Sequence, residues 1–293
     1  MTQKKFHPLL KGAIDFHVHS APSIFERKQT DWELIDEAIE AQMGGLVLKS
    51  HETSTVERAF LINKKVKNTH VFGGIVLNKH VGGWNPLAVD TALKLGGRVV
   101  WFPTLSSPQH MSYFSNKKTA LFNGNPLLNE KGLTLRDNYN EVYPEVIEIL
   151  NLIKNYDAVL ATGHLSLEEQ HDLVALAKEV GIHKIVIQHA DMGIAKIPLA
   201  DQKYFVEKGC IIEKCYLACS NDFHDLTVED MAQTINELGA DNCILVTDFG
   251  QPHHDTPVTA MSHFVEQLVT ANITEEQINK MLKINPRILL GVE

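Results

Sequence analysis

The sequence predicts an α/β protein built as a (β/α)8 TIM barrel. Short apolar, β-branched runs recur eight times along the chain, and segments with helical periodicity separate them. Strands that alternate with helices pair in parallel through right-handed crossovers. Eight such units within about 250 residues are typical of the (β/α)8 barrel rather than of an open sheet.

The eight predicted strands are short runs bounded by Gly, Asp, Asn or Pro. They cover residues 12–20, 44–51, 70–78, 96–104, 157–165, 183–190, 209–217 and 242–249. No linker-like or low-complexity segment divides the chain. We therefore expect residues 1–293 to form a single domain.

Helix start and stop signals lie between the strands. Capping residues precede apolar residues at helical spacing, and a glycine closes each pattern. These pairs are Thr30 with Gly44, Ser166 with Gly181, and Thr227 with Gly239. Two more helical patterns cover residues 257–272 and 274–292, and the last predicts an extra C-terminal helix.

One stretch, residues 105–141, interrupts this regularity. It follows the fourth predicted strand and is rich in Ser, Asn, Pro and Gly. It is too long for an ordinary connection. On a barrel it would lie over the mouth, where a lid or a substrate-contacting loop belongs.

Composition excludes several classes of function. Hydrophobic residues make up 44% of the chain, but no uncharged apolar run reaches the roughly 18 residues of a membrane span. The net charge of −9, without a basic block, argues against nucleic acid as a partner. The N-terminus lacks the apolar region of a signal peptide, and the four cysteines form no CxxC pair. We expect a cytoplasmic protein with a small-molecule substrate, and association into a homo-oligomer would suit such a barrel.

Ionisable residues gather where the predicted strands end. In this fold the chemistry lies at the C-terminal ends of the strands. Five of the eight predicted strands deliver such residues there: His17 and His19, Lys49 and His51, His164, His189, and Asp248. The pattern predicts one functional site at the mouth of the barrel.

The pair His17 and His19 points to a metal ion. Alternate residues of a strand share a face, so both imidazoles can reach one cation. Two histidines of one strand, a histidine of another and a carboxylate suit a divalent ion, most of all Zn²⁺. A pair of hydrogen-bonded core histidines is the simpler alternative for this motif taken alone.

The order of these residues resembles the amidohydrolase superfamily. The shared pattern is HxH on strand one, His on strands five and six, and Asp on strand eight, and "INPRILLGV" is similar to its C-terminal helix motif. The resemblance implies that His17, His19 and Asp248 bind the principal metal. His164 or His189 would complete that site or hold a second ion. Strand four, "VVWFPT", lacks the bridging Lys or Glu of binuclear members, which favours one ion, with His164 as the ligand and His189 beside the reacting group.

The resemblance also assigns chemical roles. Asp248 would act as general base on a metal-activated water, and His189, Lys49 or His51 would stabilise the oxyanion. Substrate contacts are expected from Lys49, His51, His253 and His254, although Lys49 and His51 could instead supply a bridge and a further ligand. The expected reaction is hydrolysis of an amide, cyclic amide, lactone or ester.

Several alternatives stay open at the level of sequence. The same residues could serve a decarboxylase or hydratase of a carboxylic acid, or a non-catalytic protein that a metal stabilises. Asp15 could orient the histidines or be purely structural. Glu213 could be a second acid, or it could form a salt bridge inside the barrel.

Overall fold

The computed structural model describes residues 6–115 and 131–292, and within them it has nine short parallel strands between helices. The strands are β1 (Ile14–Val18), β2 (Gly45–Leu48), β3 (His70–Phe72), β4 (Gly74–Val76), β5 (Val99–Trp101), β6 (Val159–Ala161), β7 (Ile185–Ile187), β8 (Ile211–Cys215) and β9 (Cys243–Val246). Each lies inside a predicted strand segment, and β3 and β4 share the third. Most strand residues are buried on both faces, as expected where helices cover a parallel sheet.

The strands form two parallel sheets in sequence order. One contains β1, β2 and β3, and the other runs from β4 to β9. In the last pair, Ile212 stands opposite Cys243 and Cys215 opposite Val246, so β8 and β9 end level with each other. The parallel α/β architecture is confirmed, but the described strands form two sheets instead of the one continuous ladder that eight strands predict.

The third predicted strand, residues 70–78, is broken after β3 because Thr55 inserts its side chain there. The Thr55 hydroxyl donates to the Leu48 carbonyl at 2.7 Å and accepts from the Gly74 amide at 3.0 Å. The Thr55 amide in turn donates to the Gly74 carbonyl at 3.0 Å. Thr55 thus takes over hydrogen bonds that β2 and β4 would otherwise exchange directly.

Hydrogen bonds also join the first strand to the segment that follows the last. The Asp248 amide donates to the His17 carbonyl and the His19 amide donates to the Phe249 carbonyl, both at 2.9 Å. The buried Asp15 carboxylate accepts from the Thr247 hydroxyl at 2.6 Å. Asp15 therefore links these two parts of the chain and also accepts from the His17 amide at 3.2 Å.

Close packing at the start of β4 gives a test of the fold. A Cβ at Gly74 would overlap the Val99 carbonyl oxygen and lie 2.6 Å from Cζ3 of Trp101, on the neighbouring strand. We expect Gly74→Ala to lower the free energy of unfolding by about 2 kcal/mol or more, measured by urea denaturation. Lys67→Ala, at an exposed position, is the control, and equal stability of the two variants would contradict this packing.

Eleven α-helices occur in the described parts of the chain. They are α1 (Asp31–Glu40), α2 (Val56–Lys65), α3 (Pro86–Lys94), α4 (Pro108–Ser115), α5 (Pro144–Asn155), α6 (Leu167–Val180), α7 (Leu199–Glu207), α8 (Val228–Leu238), α9 (Pro257–Thr270), α10 (Glu275–Asn279) and α11 (Asn285–Leu290). A π-helical turn, Lys280–Ile284, joins α10 to α11. None of the described helices is long and apolar enough to cross a membrane.

The predicted N-caps are present, and Gly181 and Gly239 are C-caps as predicted, but α1 ends at Glu40 with Ala41 as its C-cap, before Gly44. Thr30, Ser166 and Thr227 each accept a hydrogen bond from the third residue of their helix, whose carboxylate returns to the cap. Such reciprocal capping satisfies two backbone donors at once. The segment 105–141, predicted to be irregular, contains a helix, α4. Its residues 116–130 lie outside the described part of the chain.

Candidate metal centre

Two imidazoles in and just after β1 meet one carboxylate that follows β9. Oδ1 of Asp248 lies 2.9 Å from Nε2 of His17 and 3.0 Å from Nε2 of His19. The three residues are buried and offer ligand atoms that all lie within 4.8 Å of one another. A divalent ion takes ligands of this type and at this closeness.

Local backbone conformation directs these side chains to the same place. The histidines lie two residues apart in and just after β1, on the face that the alternation predicts. Asp248 and His189 follow β9 and β7 with φ of 57° and 54°. Left-handed conformations are uncommon for residues other than glycine and often occur at functional sites. The turn after each strand thus aims a carboxylate and an imidazole at the β1 histidines.

Glu213, on β8, holds two of the candidate histidines in place. Its Oε2 lies 3.2 Å from Nδ1 of His17, and its Oε1 accepts from the His189 amide at 3.2 Å. Its Oε1 also lies 3.3 Å from Nδ1 of His189. A carboxylate on Nδ1 leaves the Nε2 lone pair of an imidazole free for a metal. Glu213 therefore contacts candidate ligands and is more than a distant salt bridge.

A second set of ligand atoms overlaps the first. Nε2 of His189 lies 3.7 Å from Oδ2 of Asp248, and His189 forms close groups with His17 and Glu213 and with Cys215 and Asp248. His164 belongs to none of these groups among the described residues. Its ring centroid lies 4.9 Å from that of His189, and its Nδ1 lies 2.7 Å from Nδ1 of His110. His189 thus stands nearer to the three-ligand cluster than His164 does.

The two basic residues that end β2 take different positions. Nζ of Lys49 lies 3.0 Å from Nε2 of His17, deep in the protein, and Lys49 does not line the cavity described below. The ring of His51 stacks on that of His19 at 4.9 Å and its Nδ1 contacts the Thr104 hydroxyl at 2.9 Å. Of the two, His51 faces the cavity and Lys49 faces the metal ligands.

The two histidines that follow β9, His253 and His254, both contact one carboxylate, that of Asp222. Nε2 of His253 and Nε2 of His254 lie 2.7 and 2.8 Å from the same oxygen of Asp222. Neither histidine lines the cavity. These three residues form a separate, partly exposed cluster, and the predicted substrate contact of His253 and His254 has no counterpart in the cavity wall.

Burial governs protonation in the cluster. It lowers the pKa of His189 to about 4, and it holds the pKa of His19 well below its usual range. Burial also opposes a proton on His17, but the Asp248 and Glu213 carboxylates outweigh it and raise the pKa of His17. Despite burial, contacts with His17 and His19 hold the pKa of Asp248 well below its usual range. Asp248 is therefore an anion, the form that a metal requires.

Lys49 is also affected by burial. It is fully enclosed, and this lowers its pKa to about 8, although the Asp248 carboxylate opposes the shift. A lysine with such a pKa exchanges its proton near neutral pH. This property suits a group that stabilises or transfers charge beside Asp248.

A cavity of about 60 Å³ opens above the cluster. His19, His51, His164, His189 and Asp248 line it on the side of the strands. Aromatic and aliphatic side chains form most of the remaining wall: Phe25, Phe114, Phe223, Met192, Ile194 and Leu217. The sequence analysis missed Arg27 and Gln251, which also line the cavity. Both lie in a loop that follows a strand, β1 for Arg27 and β9 for Gln251, and that position is a signal that could have found them.

Glu213 provides a test of how the histidines are positioned. Glu213→Gln keeps the shape of the side chain but removes the charge that faces His17 and His189. Loss of such a partner typically costs 10- to 100-fold in metal affinity, and we expect a loss of about this size. Competition with a chromogenic chelator measures it. Glu237→Gln, which removes an exposed carboxylate paired with Lys203, should leave the affinity unchanged; equal losses in both variants would contradict the assignment.

The fold and the cluster together define a class of protein: a parallel α/β protein with a buried histidine–carboxylate group that could hold a metal ion at the strand ends. Within that class, the chain belongs to a family of unknown function (DUF6282), whose model matches residues 12–213. No curated protein matches the sequence.

Solved structures that share the fold include amidohydrolases. An amidohydrolase from Pseudomonas aeruginosa superposes with a TM-score of 0.65 at 13% identity, over 97% of this chain and 98% of that one. A β-aspartyl dipeptidase from Fervidobacterium islandicum gives 0.61 at 13% identity, over 96% and 73%. A TatD homologue from Escherichia coli K12 gives 0.56 at 18% identity, over 97% and 100%. The likeness shows that the chain has the fold of these proteins.

Proposed function

We propose that the protein is a metal-dependent hydrolase of the amidohydrolase type that acts on a small-molecule amide, cyclic amide, lactone or ester. The observation that carries the proposal is the meeting of His17, His19 and Asp248. Their ligand atoms come from strands at opposite ends of the chain, and they lie within 4.8 Å of one another in the interior. The site also lies beneath an open cavity at the strand ends, where enzymes of this fold have their active sites.

The residues fit a divalent metal ion, and zinc is our first choice. The donor set is two imidazoles and one carboxylate, with Glu213 on the far nitrogen of His17. Nε2 of His164 is a buried polar atom that has no hydrogen-bond partner among the described residues. We propose one principal ion at His17, His19 and Asp248, with His189 or His164 as the next ligand. A second ion would use His189 and Glu213.

In the proposed mechanism each residue of the cluster has one task. A divalent cation bound there would lower the pKa of a water to about 7 and so supply a nucleophile at neutral pH. Asp248 would accept a proton from the attacking water on Oδ2, the oxygen that does not face His17 and His19, and would return it to the leaving group. Lys49, 3.0 Å from Nε2 of His17, would stabilise the negative charge that develops on the substrate oxygen, and the unprotonated Nε2 of His189 would help to hold the ion. His51, on the cavity wall, orients the substrate.

The proposal extends to the domain organisation, cellular location and partners that the sequence predicts. We propose that residues 1–293 form one closed (β/α)8 barrel domain, that it works in the cytoplasm, and that it binds neither nucleic acid nor membrane. Association into a homo-oligomer is compatible with it.

The test measures metal and turnover in the same preparation. The purified protein is analysed for metal content and assayed against lactones, cyclic amides, N-acyl compounds and esters, before and after chelation. We expect about one equivalent of metal and hydrolysis of one of these classes, lost on chelation and restored by Zn²⁺.

Other outcomes distinguish the alternatives. Release of CO₂ or addition of water, without hydrolysis, would favour the decarboxylase or hydratase. Unfolding on metal removal without any turnover would favour a structural ion. Two equivalents of metal would overturn our preference for a single ion.

A further inference from the structure

Arg27 is a positive charge in the cavity wall that forms no hydrogen-bonded ion pair in the described part of the chain, although the Glu52 and Asp248 carboxylates attract it. Its Nη2 lies 3.4 Å from Nδ1 of His19, and its guanidinium carbon lies 5.6 Å from the ring centre of Phe25. Its Nε is buried and has no hydrogen-bond partner there. A guanidinium stays charged in proteins, and a buried N–H without a hydrogen-bond partner is costly. An anion from outside the chain would satisfy it.

The loop that carries Arg27 is braced on both sides. The guanidinium of Arg58 binds the carbonyls of Ser20 and Pro22, where the loop begins, and the carboxylate of Asp31, where it ends. Ile24 donates its amide to Glu52 at 2.9 Å. The following residue, Lys28, donates its amide to the Gly250 carbonyl at 2.8 Å. Arg27 is thus held in a fixed position, which lowers the cost of ordering it around a ligand.

Much of the cavity wall is apolar. Phe25, Phe114, Phe223, Met192 and Leu217 line it, and the guanidinium of Arg27 stands between this wall and His19. A ligand that fills the cavity would therefore contact hydrocarbon along most of its length and a positive charge near the metal ligands. Small-molecule sites typically combine an apolar lining with a few placed polar groups in this way.

We infer that the substrate is an organic acid whose carboxylate binds Arg27 and whose hydrocarbon or aromatic body lies on the apolar wall. The planar guanidinium matches a carboxylate with two parallel hydrogen bonds, and its free Nε supplies one of them. Arg27 then determines specificity and takes no part in bond cleavage. The inference rests on the proposed function, since it names the substrate class of that site.

The experiment compares ligands that differ only in charge. Isothermal titration of the zinc-loaded protein measures the affinity for benzoate, for benzamide and for acetate. We expect benzoate to bind at least about tenfold more tightly than benzamide, because a charge-assisted bond to Arg27 is stronger than a neutral one. Acetate, which lacks the body, should bind more weakly than benzoate.

Variants then assign the preference to Arg27. Arg27→Gln should lose the preference for benzoate and keep its affinity for benzamide, while Arg27→Lys should restore part of it. Lys28→Gln is the matched control, because it removes the same charge from an exposed neighbour whose Nζ contacts the Pro252 carbonyl. A general loss of folding would lower the affinity for benzamide too, so the benzamide arm separates a structural role from recognition.

Three results would overturn the inference. The first is equal affinity for benzoate and benzamide in the wild-type protein. The second is an unchanged preference in Arg27→Gln, which is the behaviour of benzoate that binds the zinc alone. The third is tighter binding of phenylphosphonate or inorganic phosphate than of benzoate, which would assign Arg27 to a phosphoryl group.

Metal content, measured for every variant, separates this inference from the proposed function. If the protein contains zinc and hydrolyses a neutral ester but does not bind benzoate, only the assignment of Arg27 is contradicted. A protein without bound metal contradicts the proposed function.

Discussion

Replacing His17 and His19 together by asparagine should remove tightly bound metal from the protein. Both imidazoles contact the same oxygen of Asp248, at 2.9 and 3.0 Å, so the double variant keeps one of the three close ligands. We expect bound metal to fall at least about tenfold, because the remaining ligands no longer surround the ion. Elemental analysis after dialysis against a weak chelator measures this.

The control for this prediction is a second double histidine variant. His171 and His263 face Asp201 and Asp255 and are partly exposed. Their joint replacement by asparagine should leave the metal content unchanged, and circular dichroism verifies folding of both variants. Zinc that stays bound at the wild-type level without His17 and His19 would refute the proposed centre.

The Asp248→Asn variant should lose nearly all activity towards the substrate found in the screen. The amide keeps the shape of the carboxylate but cannot accept the proton of the attacking water. General base catalysis contributes about 10²–10⁴-fold, so we expect kcat to fall by at least that factor. Steady-state kinetics at saturating metal measures the loss without confusing it with weaker metal binding.

Asp222→Asn is the matched control for Asp248. Asp222 also contacts two imidazoles, those of His253 and His254, but these residues lie outside the cavity wall. Its replacement should change kcat by less than about twofold, as for most substitutions away from a site. If Asp248→Asn retained activity within tenfold of the wild type, another residue would have to be the base.

Much of the fold follows from local patterns in the sequence. Strand segments are apolar, β-branched and bounded by breakers, so all nine strands lie inside predicted segments. Thr30, Ser166 and Thr227 cap helices because their hydroxyls satisfy backbone donors wherever a helix starts. The division of the third segment has no such signal. It depends on Thr55, which is distant in sequence and reaches Leu48 and Gly74 only in the folded chain.

The candidate site can likewise be predicted only as far as local sequence patterns reach. Alternation in β1 was enough to predict that His17 and His19 share a face, and the strand ends predicted Asp248 and His189 nearby. Which further histidine lies nearest to the group of His17, His19 and Asp248 depends on the φ angles at residues 189 and 248. Sequence periodicity does not encode these angles. Arg27 lies in a loop of mixed polarity, where the sequence does not distinguish it from other charged residues. Only the folded, braced loop places its guanidinium at the cavity.

The link between the first strand and the segment after the last has a consequence for biosynthesis. His17 and His19 emerge from the ribosome early, while Asp248, whose amide donates to the His17 carbonyl at 2.9 Å, is synthesised more than two hundred residues later. A nascent chain that has not reached Asp248 holds both imidazoles without the carboxylate they share. Metal loading at the proposed centre would therefore follow the synthesis of Asp248.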